Sequence, residues 1–250
     1  MKNSHQISPD LLFRQLFDYK TWTYTYLLAD KVSGEGVLID TVHEQYKRDF
    51  KLLKELGVKL KYTIDTHVHA DHVTGAAKLR KTTGSRTVIG AGGQVECADV
   101  QIKDGETLKL GSFTIKAIST PGHTESCTSY HICNKIFTGD TLLIRGCGRT
   151  DFQQGSAKNL FKSIHEKLFI LPDETIVYPA HDYEGMTSST IGEEKSFNPR
   201  LTKSKSESDF INIMHNLKLA NPIRIHEAVP LNLRCGDAEL LVRQNLHLGH

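Results

Sequence analysis

Thr66-His67-Val68-His69-Ala70-Asp71-His72-Val73-Thr74-Gly75 sets three histidines and an aspartate within six positions. It follows a run, Leu60-Lys61-Tyr62-Thr63-Ile64-Asp65, that alternates as a strand. Alternate residues of an extended chain face the same side, so His67 and His69 can converge. The turn that follows can carry Asp71 and His72 to a neighbouring position. Imidazoles and a carboxylate gathered at a strand end suit zinc, iron or manganese. A solvated, histidine-rich loop is the competing reading of this stretch alone, and four ligand-type residues at a strand end argue against it.

Three later segments repeat the device: Thr120-Pro121-Gly122-His123-Thr124, Phe137-Thr138-Gly139-Asp140 and Tyr178-Pro179-Ala180-His181-Asp182. Each sets one ligand-type side chain where a strand gives way to a loop, and the glycines at 122 and 139 permit close backbone approach or unusual dihedrals. The isolated histidines His131, His165 and His215 lack such company and read as packing or surface residues.

The rest of the chain supplies strands and helices in both halves. Antiparallel strands are expected over the first forty residues. A helix over residues 43–56 should stop at Gly57, a natural left-handed cap. Another helix is expected over 76–82, a short strand over 87–89, and two strand pairs turning near Gly111 and Asn134. A helix over 157–168 should lead into a strand at 175–178, and Ser206 with Asp209 should cap a helix carrying Phe210, Ile211, Ile213 and Met214. Two sheets faced by helices, an αββα sandwich of the α/β class, follow from this order. No linker rich in Pro, Gly or Ser divides the chain, so residues 1–250 read as one domain with a short C-terminal extension from about 205.

Composition narrows the partners. With 38% hydrophobic and 24% charged residues, the chain is an ordinary globular protein able to bury a substantial core. A net charge of +2, spread along the sequence, has little pull on nucleic acid or anionic lipid. The densest basic stretch, residues 47–61, interleaves with Tyr46, Phe50, Leu53 and Leu56 at helical spacing and reads as the wet face of an amphipathic helix. No uninterrupted apolar run is long enough to span a bilayer. The five cysteines, Cys97, Cys127, Cys133, Cys147 and Cys235, are odd in number and lack CxxC spacing. That argues against a disulfide framework or a thiolate zinc site, and for a reducing, cytoplasmic setting.

Taken together, the four ligand segments resemble the metallo-β-lactamase superfamily, whose HxHxDH, PGH, GD and final His motifs supply metal ligands. The resemblance implies two mixed β-sheets flanked by helices, with the ligands at the lip between the sheets. Within the superfamily, three finer stretches resemble the persulfide dioxygenases. They are Gly139 through Gly155 (GDTLLIRGCGRTDFQQG), Tyr178-Pro179-Ala180-His181-Asp182-Tyr183, and Asn198-Pro199-Arg200-Leu201. The tail Ala228-Val229-Pro230-Leu231-Asn232-Leu233-Arg234-Cys235-Gly236 is similar to that family's C-terminus.

The resemblance implies oxidation of glutathione persulfide by O2 to sulfite and glutathione, a step in sulfide oxidation, at one non-haem Fe(II) per chain. His67, His123 and Asp140 would hold the iron and leave three positions open. His69, Asp71, His72 and His181 would support them or form a second position without metal. His181 and Tyr183 would take part in catalysis, Tyr183 approaching metal and substrate. Arg149 and Arg200 could grip glutathione carboxylates, because a guanidinium binds a carboxylate through two parallel bonds. Equally, Arg149 could pair with Asp151, and Arg200 could cap the turn around Pro199. Cys235 is placed by the resemblance near the substrate channel, although a buried cysteine is commonly a small hydrophobe. A rhodanese and a second copy of the chain are compatible partners.

A glyoxalase II-type hydroxyacylglutathione hydrolase with a dinuclear centre is the alternative, since every ligand-type residue it needs is present. The segment 147–155 and the short C-terminal region favour the dioxygenase. A non-catalytic metal-stabilised binding module is the third reading, and the clustered ligands weigh against it.

Overall fold

The computed structural model describes residues 10–202, 204–220 and 222–239. Among these, twelve strands form two six-stranded sheets. The first contains β1 (Leu11–Asp18), β2 (Thr23–Asp30) and β3 (Glu35–Ile39). A 3₁₀ turn (His43–Gln45) and α1 (Tyr46–Glu55) lead to β4 (Lys59–Ile64), α2 (Ala76–Thr83), β5 (Arg86–Gly90) and β6 (Val100–Ile102). The second sheet contains β7 (Thr107–Leu110), β8 (Phe113–Ser119), β9 (Thr128–Ile132), β10 (Lys135–Gly139), β11 (Ile176–Pro179) and β12 (Ser189–Thr190). Between β10 and β11 lies α3 (Ala157–Lys162), and α4 (Ile191–Phe197), α5 (Glu207–His215) and α6 (Ile225–Asn232) close the described chain.

Both sheets are mixed. β1, β2 and β3 pair antiparallel, whereas β3, β4, β5 and β6 run parallel. In the second sheet β7 to β10 form antiparallel hairpins, β11 joins β10 in parallel and β12 returns antiparallel. The period-2 alternation of strand residues explains the layering. In β3, Val37 and Ile39 enter the core between the sheets while Leu38 faces α1 and α2 beside Leu53 and Leu79. In β10 and β11, Phe137 and Tyr178 face inward, while Ile136 and Val177 pack under Leu160, Ile164, Phe210 and Met214. The result is the αββα sandwich expected from the sequence.

Local chemistry fixes the element ends. Gly84 closes α2 in the left-handed conformation, and the Ser206–Asp209 pair forms the full capping box at α5. The helix expected over 157–168 is interrupted: α3 gives way to a π-helical turn over Ser163–Leu168. β6, β12, α4 and α6 are not evident in the sequence pattern. β12 is two residues long, and α6 holds Pro230 in its interior, which breaks the helical pattern a reader looks for. No helix among the described residues is long and apolar enough to cross a membrane.

The cysteines require a correction. Cys97 and Cys235, 138 residues apart, form a disulfide, whereas Cys127, Cys133 and Cys147 are free. Parity and CxxC spacing report only on local pairing, and this bridge is made by the fold, which brings the loop after β5 against the end of α6.

Candidate metal centre

The donors sit where strands of both sheets end on one lip. β4 delivers Asp65, Thr66 and His67. Asp40, just past β3, receives the Thr66 backbone N–H on Oδ1 at 2.8 Å and its hydroxyl on Oδ2 at 3.0 Å. With its proton directed at Asp40, the Thr66 hydroxyl accepts from His67 Nδ1, 3.0 Å away. His123 Nδ1 lies 2.7 Å from the Arg149 carbonyl, which can only accept. Both imidazoles therefore carry their proton on Nδ1 and present the Nε2 lone pair. Those Nε2 atoms lie 4.0 Å (His67) and 3.6 Å (His123) from Asp140 Oδ2.

Two glycines allow the convergence. A Cβ on Gly139, whose φ is +55°, would stand 2.5 Å from Thr66 Oγ1. One on Gly148 would stand 2.4 Å from the Asp140 carbonyl and 2.8 Å from His123 Cγ.

His69, Asp71, His72 and His181 form a second compact group, their ligand-type atoms within 4.8 Å of one another. His69 Nε2 lies 3.1 Å from Asp40 Oδ1, and His72 Nδ1 lies 2.8 Å from Asp71 Oδ2. The opposite nitrogens, His69 Nδ1 and His72 Nε2, are buried and make no hydrogen bond. Buried polar atoms are nearly always partnered, so two unpartnered imidazole nitrogens beside a carboxylate fit a metal ion. His181 joins the groups: its Nδ1 is 2.7 Å from Asp140 Oδ1, and its Nε2 is 3.1 Å from Asp71 Oδ2 and 3.2 Å from Thr23 Oγ1.

Electrostatics agree with this division. Burial pushes the His67 imidazole well below the usual histidine range, with the neighbouring His69 adding to it, so His67 is neutral and its lone pair available. Burial opposes charge on Asp140 and His181 as well. Their mutual attraction nevertheless overcomes it, holding the Asp140 carboxyl well below and His181 well above their ordinary values. Asp65, bonded to the Thr74 hydroxyl at 2.9 Å, is pushed up to about 6 by burial.

The expected substrate residues are arranged less uniformly. Tyr183 is exposed, its ring parallel to that of His181 at 6.2 Å. The Arg149 guanidinium makes two bonds to Asp151 (2.7 and 2.8 Å), reaches the carbonyls of Ala220 (2.6 Å) and Leu219 (3.4 Å), and lies over the Phe152 ring. Asp151 is thus its carboxylate partner here. Arg200 donates to the Cys147 carbonyl at 3.1 Å, and Asn198 donates to the Gly146 carbonyl at 3.0 Å, so this pair fastens the loop after Asp140. Cys235, expected beside a substrate channel, is bonded to Cys97 and packed with Val68, Ile89 and Val95. Held in that buried bridge, its sulfur presents no free thiol.

Asp40 and Thr23 were missed in the sequence. Asp40 had a signal, since it follows the strand Val37-Leu38-Ile39 just as the other acidic and histidine residues follow theirs. Thr23 had none, because its backbone bridge to His181 and its hydroxyl contacts with Asp71, His72 and His181 exist only once the chain is folded.

Comparison with known proteins gives a consistent picture. The profile of the Metallo-beta-lactamase superfamily matches residues 23–181, a span that includes every donor named above. The mouse (Mus musculus) protein named Persulfide dioxygenase ETHE1, mitochondrial, is 51% identical over 231 residues, covering 90% of this chain and 89% of its own length. The crystal structure of ETHE1 from Myxococcus xanthus is 48% identical and superposes with a TM-score of 0.89, covering 90% of this chain and 100% of that one. A probable hydroxyacylglutathione hydrolase of Schizosaccharomyces pombe is 30% identical over 236 residues, covering 81% of this chain and 89% of its own.

Proposed function

The chain belongs to the metallo-beta-lactamase superfamily, and on that premise we propose that it is a persulfide dioxygenase that oxidises glutathione persulfide with O2 to sulfite and glutathione. One observation carries the reading: about half of all residues are shared with a persulfide dioxygenase over 90% of the chain. The reaction balances as one persulfide, one O2 and one water giving one thiol and one sulfurous acid.

We assign a single Fe(II) to His67, His123 and Asp140. Support comes from their two Nε2 lone pairs and the free Asp140 Oδ2, with each remaining polar atom held by a protein partner. Ferrous iron there would supply the redox capacity that joins dioxygen to a persulfide sulfur, which a redox-silent ion lacks. The protein's part is positional. Thr66 and the Arg149 carbonyl lock the imidazole tautomers, and His181 holds Asp140 to one oxygen. His181 and Tyr183, whose rings lie parallel 6.2 Å apart, are assigned to catalysis beside the iron. Arg149 and Arg200 are assigned to the glutathione carboxylates, Arg149 exchanging Asp151 for substrate. The action is assigned to sulfide oxidation, with a rhodanese as a candidate supplier of persulfide.

The alternative, hydrolysis of an acylglutathione at a dinuclear centre, is favoured by the unpartnered nitrogens of His69 and His72. Anaerobic purification with metal analysis separates the two, followed by oxygen uptake with glutathione persulfide and, in parallel, hydrolysis of lactoylglutathione. Oxygen uptake matched by sulfite supports the dioxygenase. Thioester hydrolysis without oxygen uptake overturns it.

A further inference from the structure

Asn232, at the end of α6, spends its whole carboxamide on the backbone of the histidine-rich loop. Its Nδ2 donates to the carbonyls of His69 (2.9 Å) and His72 (2.8 Å), and its Oδ1 accepts from the Thr74 N–H (2.8 Å). Both amide hydrogens and the oxygen are engaged, and the residue is buried. A carboxamide is the uncharged side-chain group that offers two donors and an acceptor together. The same segment docks through further contacts. The Ala77 N–H donates to the Cys235 carbonyl at 3.0 Å, and a Cβ on Gly236 would come within 2.3 Å of the Thr74 carbonyl. The Cys97–Cys235 disulfide anchors the segment from its other side.

None of these bonds touches a donor atom of the metal centre. They hold the 69–70, 72–73 and 73–74 peptide units, which bracket Asp71 on the loop that carries its carboxylate. Asp71 Oδ2 meets His181 Nε2 at 3.1 Å, and His181 Nδ1 meets Asp140 Oδ1 at 2.7 Å. His67 and His123, by contrast, are oriented by Thr66 and by the Arg149 carbonyl.

We propose that Asn232 is a positioning residue of the metal centre, acting through the loop backbone on Asp71 and, by way of His181, on Asp140. The inference rests on the assignment of Asp140 as a metal ligand, and its test does not use the oxygenase reaction.

Asn232→Ala and Asn232→Asp are prepared in the full chain, alone and combined with Asp71→Ala. Asn232→Asp keeps the acceptor for the Thr74 N–H and replaces both donors by a carboxylate oxygen facing two carbonyls. Thermal unfolding reports folding, anaerobic titration with Fe(II) reports affinity, and the visible spectrum after loading with Co(II) reports ligand geometry. Each single variant is expected to bind Fe(II) about tenfold more weakly and to shift the Co(II) spectrum. In the Asp71→Ala background the same change should alter affinity less than about twofold, because the two act in series.

A lowered melting temperature with unchanged Fe(II) affinity and an unchanged Co(II) spectrum overturns the proposal. So does an undiminished effect in the Asp71→Ala background, or an Asn232→Asp variant that binds like wild type. If Asn232→Ala does not fold, Asn232→Asp carries the same comparison. Retention of the metal by Asp140→Ala would instead reject the ligand assignment.

Discussion

His123 Nδ1 lies 2.7 Å from the carbonyl oxygen of Arg149, while the guanidinium of the same Arg149 grips Asp151. Backbone and side chain of one residue thus serve different ends, and a substitution separates them. Arg149→Ala keeps the carbonyl, so iron content should stay near wild type while the KM for glutathione persulfide rises. Arg200→Ala should behave likewise. A charge-assisted pair contributes about 1.5–3 kcal/mol, so kcat/KM should fall about ten- to a hundredfold. Metal analysis with oxygen-electrode kinetics checks this. Loss of iron in both variants, with KM unchanged per iron, rejects the anchoring role. Asp151→Ala provides the control: if Arg149 acts only through its pair with Asp151, that variant will reproduce the defect.

Metal stoichiometry is the second expectation. The purified protein should hold about one iron per chain, as a facial triad with open positions requires. His67→Ala, His123→Ala and Asp140→Ala should lose both iron and oxygen uptake. Asp71→Ala, His72→Ala and His181→Ala should retain most of the iron at saturating metal, with affinity lowered about tenfold through lost supporting bonds. Two tightly bound zinc ions, one of them released by His181→Ala, would sink the single-iron assignment.

The Cys97–Cys235 bridge closes a loop with a sequence separation of 138 residues. Cross-linking positions so far apart removes much freedom from the unfolded chain, and native bridges typically contribute about 2–4 kcal/mol. Cys97→Ser should therefore lower the unfolding free energy by about that amount in oxidising buffer. Under reducing conditions, variant and wild type should become equal. Urea denaturation with and without dithiothreitol measures both, and equal stability in oxidising buffer would contradict the expectation.

Asp49 supplies a pH dependence remote from the metal. Its buried carboxyl takes one bond from Arg48 Nε at 2.8 Å, and its second oxygen has no partner. Burial raises its pKa above the ordinary 3.8, against the pull of Arg48. The native state therefore holds this proton more tightly than the unfolded chain does. Stability is lost as pH climbs from 3.8 through the raised value, and is level beyond it. Asp49→Asn removes the titration, so the variant should gain on wild type as pH rises from about 4 and keep a constant margin near neutrality. Urea unfolding of both proteins across that range is the measurement, and a pH-independent difference would refute it.

The lip of the sandwich was legible because its donors obey a local rule. His67, His123, Asp140 and His181 each follow a strand whose alternation is visible in neighbouring residues. Asp40 obeys the same rule but stands alone in its segment, with no second ligand-type residue to attract notice. Thr23, Asn232 and the Cys97–Cys235 pair follow no local rule, since each acts across a long sequence separation through contacts made only when the layers assemble. Arg149 shows a different limit. Both its possible partners, a substrate carboxylate and Asp151, were foreseeable, and residue type alone could not choose between them.

The donors come from both sheets and extend along the chain from His67 to His181, with Asn232 later still. A ribosome must therefore release most of the protein before the pocket exists, and metal insertion belongs to the finished chain. An ion that binds only that native form would deepen the folded state by about 1.4 kcal/mol for each tenfold rise in free metal above its dissociation constant. In a cell short of the metal, the enzyme's abundance would fall along with its activity, through proteolysis of the larger unfolded fraction.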